Sequence, residues 1–186
     1  MYIIISNISW MSFNIFLALV AVLFGWLMKQ TSWKFLRVMY GIVWLLFLPN
    51  TLYLLTDIVH FFEDMDEVQG ISQIIFIFQY LLLCLLGVIT YFAAVYPVEK
   101  VFIIKDVKWK KLMFILIINL LVGFGITLGR VERVNSWDIV LDIPSVIHTS
   151  TDVLASTNLL LLMLLFTIMG TLIYLSLRAL MIKSER

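Results

Sequence analysis

Polar and ionisable side chains interrupt a hydrophobic run in the stretch FLPNTLYLLTDIVHFFED, residues 47–64. A helix turns about 100° per residue, which places four of these side chains within an arc of about 80°: Asn50, Tyr53, Asp57 and His60. Lipid cannot satisfy such groups, so we expect the stripe to face the bundle interior or water. We predict Asp57 and His60 as a catalytic acid/base pair. Asn50 and Tyr53 are the predicted substrate-binding residues of the same stripe.

A second interpretation of this stretch is structural. Pro49 lacks a backbone N–H and is predicted to kink the helix, and Asn50 could bond to a carbonyl that the kink frees. For Pro49 and Asn50 alone, we favour this structural interpretation, in which the proline kinks the helix and the polar groups stabilise helix packing. Ionisable groups inside a membrane are costly and usually functional, which favours a site for Asp57 with His60.

Two arginines stand together in GRVERVNSWD, residues 129–138. Guanidinium groups near headgroup level are suited to gripping a phosphate or carboxylate. The predicted substrate-binding residues of this stretch are Arg130, Arg133, Asn135, Ser136 and Asp138. The alternative is an ion-pair network of the arginines with Asp57 or Glu132, and both interpretations hold if a ligand displaces an acidic partner.

The chain has two histidines, and the second lies in HTSTD, residues 148–152. His148 and Asp152 are four residues apart and, with Asp57 and His60, could ligate a divalent metal. The spacing is not specific, so we predict no metal and no cofactor. The sequence also lacks phosphate-binding glycine loops, nucleophile elbows and nucleic-acid-binding patterns, so we predict no nucleic-acid partner.

Membrane helices must position these residues. Of the 186 residues, 63% are hydrophobic and 13% charged, whereas soluble domains average about 45–50% and about 25%. Five stretches reach or approach the roughly 20 apolar residues that cross a bilayer. They lie near residues 8–28, 35–62, 71–96, 112–128 and 159–177. We expect residues 1–186 to form one integral membrane domain, an all-α polytopic helix bundle with a kinked second helix.

Lysine and arginine sort to one side of these five spans. Eleven of the 13 basic residues fall in the first loop, the third loop and the tail, and only Arg130 and Arg133 fall on the other side. Because cytoplasmic loops collect Lys and Arg, we predict the N-terminus outside and the C-terminus in the cytoplasm. The acidic run EDMDE, residues 63–67, then lies outside.

The long loop at residues 129–158 mixes charges with apolar residues. Such a mixture favours a segment that lies on the membrane surface or folds back into it, with a partly ordered loop as the alternative. Asn14 in the first span and Asn119 in the fourth are expected to form hydrogen bonds between helices.

The two polar motifs together resemble the paired signatures of a bacterial integral membrane family, domain of unknown function 1361. The first signature corresponds to Phe47, Pro49, Asn50, Tyr53, Thr56, Asp57 and His60. The second corresponds to Gly129, Arg130, Arg133, Asn135, Ser136, Trp137 and Asp138. Usual members have Ala-Pro where this chain has Thr51 and Leu52, and His148 and Asp152 fall outside both motifs. The resemblance implies a multi-span protein of the bacterial cytoplasmic membrane and supplies no activity.

Three functions from different classes fit these observations. The leading one is an enzyme or binder acting on an anionic lipid or lipid-linked substrate at the outer face. The rival is a small transporter, or the substrate-binding subunit of a larger one, and the third is a structural partner in a membrane complex. Membrane lipids are expected partners, with a membrane protein or a second copy of the chain as further candidates. A polar path to the cytoplasm would favour transport, and spans three and five carry no charge.

Overall fold

The computed structural model describes residues 2–103, 107–131, 133 and 138–184. Within these ranges the chain is helical and contains no β-strand. The helices are α1 (Tyr2–Gln30), α2 (Lys34–Phe47), α3 (Pro49–Thr56), α4 (Ile58–Asp64), α5 (Ile71–Phe102), α6 (Lys108–Val131), α7 (Asp138–Leu141), α8 (Ile143–Ala155) and α9 (Thr157–Ser184). A single 3₁₀ turn, Met65–Glu67, follows α4.

In the part of the chain that the structure describes, five helical segments are long and apolar enough to cross a membrane, which confirms the predicted number of spans. They are Ile3–Gln30, Lys34–Glu67, Ile71–Phe102, Lys108–Val131 and Thr157–Met181. Each extends beyond its predicted bounds at one end or both, because helices continue into the residues that flank the hydrocarbon. By contrast, the 13 residues of α8 reach only about 20 Å, less than the roughly 30 Å of a bilayer core. The chain is a multi-pass, all-α membrane protein.

The second span is broken at Pro49, which confirms the predicted kink. Helix α2 ends at Phe47 and α3 begins at Pro49. The Thr51 N–H bonds to Leu48 O at 3.1 Å, an i to i+3 bond that tightens the turn. Phe47 O then accepts from Asn50 Nδ2 at 3.1 Å, so the asparagine does bond to a carbonyl released by the kink.

A second break lies at Asp57, where no proline occurs. The residue stands between α3 and α4, and its carbonyl accepts from the His60 N–H at 3.1 Å. The Thr56 hydroxyl donates to Tyr53 O at 2.7 Å and shares that carbonyl with the Asp57 N–H at 3.2 Å. Hydroxyls that bond back to a preceding carbonyl often bend helices, and this one stands directly before the break.

The chain forms two compact units, Met1–Val98 and Glu99–Arg186. In the first unit α1 runs antiparallel to the second span, with Asn14 bonded to Asp57 near one end and Gly25 against Trp44 towards the other. A Cβ atom on Gly25 would lie 2.6 Å from Ala94 O, so α1 also packs closely against α5. These close approaches fix the register of α1 and α5 against each other and of α1 against the second span, which carries the first polar motif.

In the second unit α6 and α9 pack antiparallel around Gly123. A Cβ atom there would lie 2.5 Å from Met163 O and 2.7 Å from Thr167 Oγ1, so only glycine fits. The buried Asn119 donates to Thr171 Oγ1 at 3.2 Å, which confirms the expected bond between helices. The second half of α6 thus packs against the first half of α9, and the middles of the two helices meet at Asn119 and Thr171.

Helix α8 of the second unit has three distinct faces. Thr149 and Val153 are buried in the unit. At about 100° per residue, the exposed Ile143, Ile147 and Leu154 fall within an arc of about 40° on another face. Ser145, His148 and Asp152 fall within an arc of about 60° on the third side. This arrangement suits a helix in the membrane interface, as predicted for this loop.

Candidate functional site

The first unit contains a cavity of about 370 Å³ at the second break of the kinked span. We call it the Asp57 pocket. Its lining residues come from α1 and from the α3–α4 segment: Trp10, Asn14, Tyr53, Asp57, His60 and Asp64. The structure therefore brings together three of the four residues predicted from the first motif, including both proposed catalytic residues. The volume lies within the range of small-ligand sites, about 300–1,000 Å³.

Asp57 is the most deeply placed acid of this pocket. Only 2% of the residue is exposed, and Oδ2 accepts from Asn14 Nδ2 at 3.0 Å. Asp57 stands at the helix break, and its carboxylate bonds across to an amide donor on α1. A buried carboxylate is strongly destabilising without such donors. Asn14 thus forms the hydrogen bond between helices that the sequence predicted. Its acceptor is Asp57, one of the two proposed catalytic residues.

His60 lies one turn further out and is oriented by two neighbours. Its Nδ1 is 2.9 Å from Glu63 Oε2, and its ring meets the Trp10 ring edge to face at a centroid distance of 5.7 Å. In the tautomer that carries the proton on Nδ1, this bond leaves Nε2 as the proton acceptor. A carboxylate that fixes an imidazole in this way is a recurring feature of general bases.

The two predicted substrate-binding residues of the first motif, Asn50 and Tyr53, have different positions. Tyr53 lines the pocket, and its substrate-binding role stays a prediction. The Asn50 amide donates to Phe47 O within the Pro49 kink, which is a helix-stabilising contact. A substrate-binding role for Asn50 stays a prediction.

The second motif belongs to the second unit. Arg130 is in the last turn of α6, where a cation interacts favourably with the helix dipole. The backbone of Arg133 has φ 56°, a left-handed conformation that residues other than glycine rarely adopt. Asp138 is the first residue of α7. Asn135 and Ser136 lie outside the described residues, and the substrate-binding role of this motif stays a prediction.

His148 and Asp152 form an exposed pair on α8, with Nδ1 and Oδ2 2.9 Å apart. Among the described residues, no group of three or more His, Cys, Asp or Glu side chains is arranged to hold a metal ion. This pair thus forms a local contact on the polar face of α8.

The second unit contains a buried charge cluster that the sequence reasoning missed. Glu99 is 1% exposed, and its Oε2 accepts from the Tyr174 hydroxyl at 2.6 Å. Its Oε1 accepts from Arg178 Nη2 at 3.3 Å and lies 4.0 Å from Lys111 Nζ. The cluster joins the end of α5 to the first turn of α6 and the last turns of α9. No local spacing in the sequence predicts this cluster, because its members come from three distant parts of the chain.

The α1 side of the Asp57 pocket was also missed, although the sequence carries a signal for it. Asn7, Trp10 and Asn14 are three and four residues apart, so they share one face of α1. The Trp10 indole N–H donates to Asn7 Oδ1 at 3.1 Å. A polar stripe on one span predicts a polar partner on another, and the stripe of the second span is that partner.

Comparison with protein families gives one match. The matching family is described as protein of unknown function (DUF1361), and the match covers residues 13–173. Neither curated proteins nor solved structures gave a match. The matched range contains both polar motifs and most of the described helices, which confirms the resemblance drawn from the motifs. The chain therefore belongs to the DUF1361 family of proteins of unknown function.

Proposed function

We propose that this protein binds and acts on a lipid or lipid-linked substrate, whose polar end enters the Asp57 pocket. The observation that carries the proposal is Asp57 itself. The residue is buried, yet it lines a cavity together with His60. An acid in this position costs folding free energy that an apolar residue would not, so a functional role accounts for its presence.

The depth of the pocket supports a substrate that sits in the membrane. The second span has 34 residues, about 50 Å of helix, so both ends extend past a hydrocarbon core of roughly 30 Å. Asp57 lies ten residues before the end of this span, or about 15 Å of helix. That position is close to the boundary between hydrocarbon and headgroups. Val59 and Phe62 of the same segment are exposed apolar residues, suited to lipid contact.

The chemistry that fits is general acid/base catalysis. Asp57, held by Asn14, has a fixed position from which to accept a proton from a substrate hydroxyl or water. His60, oriented by Glu63, supplies a second proton-transfer group at the mouth of the same cavity. Proton transfer between these two groups and a bound headgroup would support hydrolysis or group transfer at the polar end of the lipid.

The proposed orientation places the pocket at the extracytoplasmic face of the bacterial cytoplasmic membrane, with the N-terminus outside. In the first unit, Lys29, Lys34 and Arg37 lie at the opposite end of the helices from Glu63 and Asp64. The lysines at the start of α6 lie at the same end of the second unit as Arg178. Both units therefore concentrate basic side chains at one end, which is the pattern of cytoplasmic ends.

Arg130 and Arg133 remain the proposed ligands of a phosphate. Glycine would fit the backbone of Arg133 with less strain, and strained backbone conformations of this kind cluster at functional sites. Phosphate is common to phospholipids and many lipid-linked intermediates, and it is the anionic group that these two residues would bind.

The test is photo-crosslinking in native membranes from within the pocket. Benzoylphenylalanine replaces Tyr53, which lines the cavity, and in a matched control it replaces Phe62, which is 71% exposed. We expect the Tyr53 position to capture one lipid class enriched over the bulk membrane and the Phe62 position to capture lipids in bulk proportion. Adding Asp57→Asn should enrich the captured substrate over its product.

Equal lipid profiles at the two positions would overturn the proposal. Capture of a membrane protein at Tyr53 would favour the structural role, and capture of a small water-soluble solute would favour transport.

A further inference from the structure

Three buried polar atoms at the contact between α1 and α5 have no hydrogen-bond partner among the described residues. They are Asn7 Nδ2, Gln79 Oε1 and the Tyr80 hydroxyl oxygen. Asn7 is 4% exposed and Tyr80 is 2% exposed. Buried polar groups in folded proteins are nearly always bonded to protein or to ordered water, because an unbonded one is costly. These three atoms therefore point to a ligand that completes their hydrogen bonds.

The three side chains meet along one short stretch of α1. Ile4, Asn7 and Trp10 are three residues apart, so they share a face of that helix over about 9 Å of its length. Gln79 Nε2 donates to Ile4 O at 3.1 Å. Asn7 Oδ1 accepts from the Trp10 indole N–H at 3.1 Å, and the centroids of the Trp10 and Tyr80 rings are 6.4 Å apart. The stretch thus brings a donor, an acceptor and a hydroxyl to one region of the interior.

The chemistry of these atoms indicates a neutral ligand that both donates and accepts. The Asn7 amide nitrogen donates, Gln79 Oε1 accepts, and the Tyr80 hydroxyl does both. The three side chains are uncharged, so they offer no charge that would select an ion. The outer faces of α1 and α5 carry exposed apolar residues such as Ile8 and Phe78, and lipid tails cannot form hydrogen bonds. Water is the smallest ligand of the required kind, and a buried water typically forms about three hydrogen bonds.

We propose that Asn7, Gln79 and Tyr80 bind ordered water in the interior of the first unit. The site adjoins the Asp57 pocket, because Trp10 contacts both Asn7 and Tyr80 and also lines that cavity. This inference stands without the proposed function. Combined with it, the site keeps water one side chain away from His60, where acid/base chemistry can use it.

Hydroxyl-radical footprinting of the full chain in nanodiscs of synthetic lipid tests this site. A short X-ray pulse forms the radicals from water, so a buried side chain is oxidised chiefly where a water molecule touches it. Tyr80 is compared with Tyr174, which is similarly buried at 1% exposure but donates its hydroxyl to Glu99. We expect Tyr80 to be oxidised several-fold faster than Tyr174.

Two variants locate the water. Asn7→Leu removes the amide donor at similar side-chain volume, and it should lower the oxidation rate of Tyr80 several-fold. Ser6→Ala is the matched control, because it removes a polar group from the neighbouring exposed position of α1, and it should leave that rate unchanged. The comparison of Tyr80 with Tyr174 needs no substitution, so it decides the proposal if Asn7→Leu does not fold.

Oxidation of Tyr80 as slow as that of Tyr174 would overturn the proposal, and so would an unchanged Tyr80 rate in folded Asn7→Leu protein. Protection of Tyr80 when native membrane lipids replace the synthetic lipid would assign the site to a lipid hydroxyl and overturn the assignment to water. None of these results decides the proposed function, which stands or fails by the crosslinking from Tyr53.

Discussion

The bond between Asn14 and Asp57 should be one of the strongest single contacts of the first unit. Asn14 Nδ2 donates to Asp57 Oδ2 at 3.0 Å, and Asp57 is 2% exposed. Hydrogen bonds to charged groups contribute about 1.5–3 kcal/mol, and leaving a buried charged group short of a donor costs more than a neutral loss. We therefore expect Asn14→Leu to lower the free energy of unfolding by about 2–3 kcal/mol.

A double-mutant cycle separates this bond from general packing. Replacing both partners by apolar groups is far less costly than orphaning one of them. The double variant Asn14→Leu/Asp57→Leu should thus be at least about 1.5 kcal/mol more stable than the sum of the two single changes predicts. The assay is equilibrium unfolding in bicelles with a reversible trap or denaturant.

Asn119→Leu is the matched control, because Asn119 bonds to Thr171. Combined with Asp57→Leu, it should give additive losses to within about 0.5 kcal/mol. A coupling below about 0.5 kcal/mol for the Asn14 and Asp57 pair would refute the reasoning, since the amide would then not support the carboxylate.

Three further predictions concern packing, charge and topology. Gly123→Ala should lower the free energy of unfolding by about 1–3 kcal/mol, because its Cβ would lie 2.5 Å from Met163 O. Gly41→Ala is the control and should be tolerated, since its Cβ would meet only the flexible Met28 side chain. Equal stability of the two variants would contradict this prediction. Glu99→Gln should destabilise the protein by about 3–5 kcal/mol in the same assay, because it removes the anion of a buried cluster, and the exposed Glu67→Gln should show no loss. In a Cys84→Ala background, Asp66→Cys should react with an impermeant thiol reagent in intact cells and Lys108→Cys should not, and labelling of the latter from outside would reverse the proposed orientation.

The spans were predictable because hydrophobic length is a property of contiguous sequence. The same holds for the kink, since Pro49 lacks an N–H whatever its neighbours are. The break at Asp57 was not predicted, because no proline marks it and a threonine before it, such as Thr56, occurs in many unbroken helices. The helical period did place Tyr53, Asp57 and His60 on one stripe, and all three line the pocket.

Long-range pairings explain what the sequence reasoning missed. Asn14 was expected to bond to another helix, but its acceptor depends on the register between α1 and the second span. That register is set by close packing, such as Gly25 against Trp44, and not by any local pattern. Glu99, Tyr174 and Arg178 likewise come together only when α5 and α9 meet. Residues of this kind can be found from one sequence only by pairing the polar stripes of different helices.

A crystal structure of the protein grown from a lipid mesophase supplemented with native membrane lipids tests the central claim most directly. The account predicts a headgroup in the Asp57 pocket, with a polar atom within about 3.2 Å of the Asp57 carboxylate or of His60 Nε2. A pocket that holds only ordered water, with every bound lipid confined to the outer apolar faces, would contradict it.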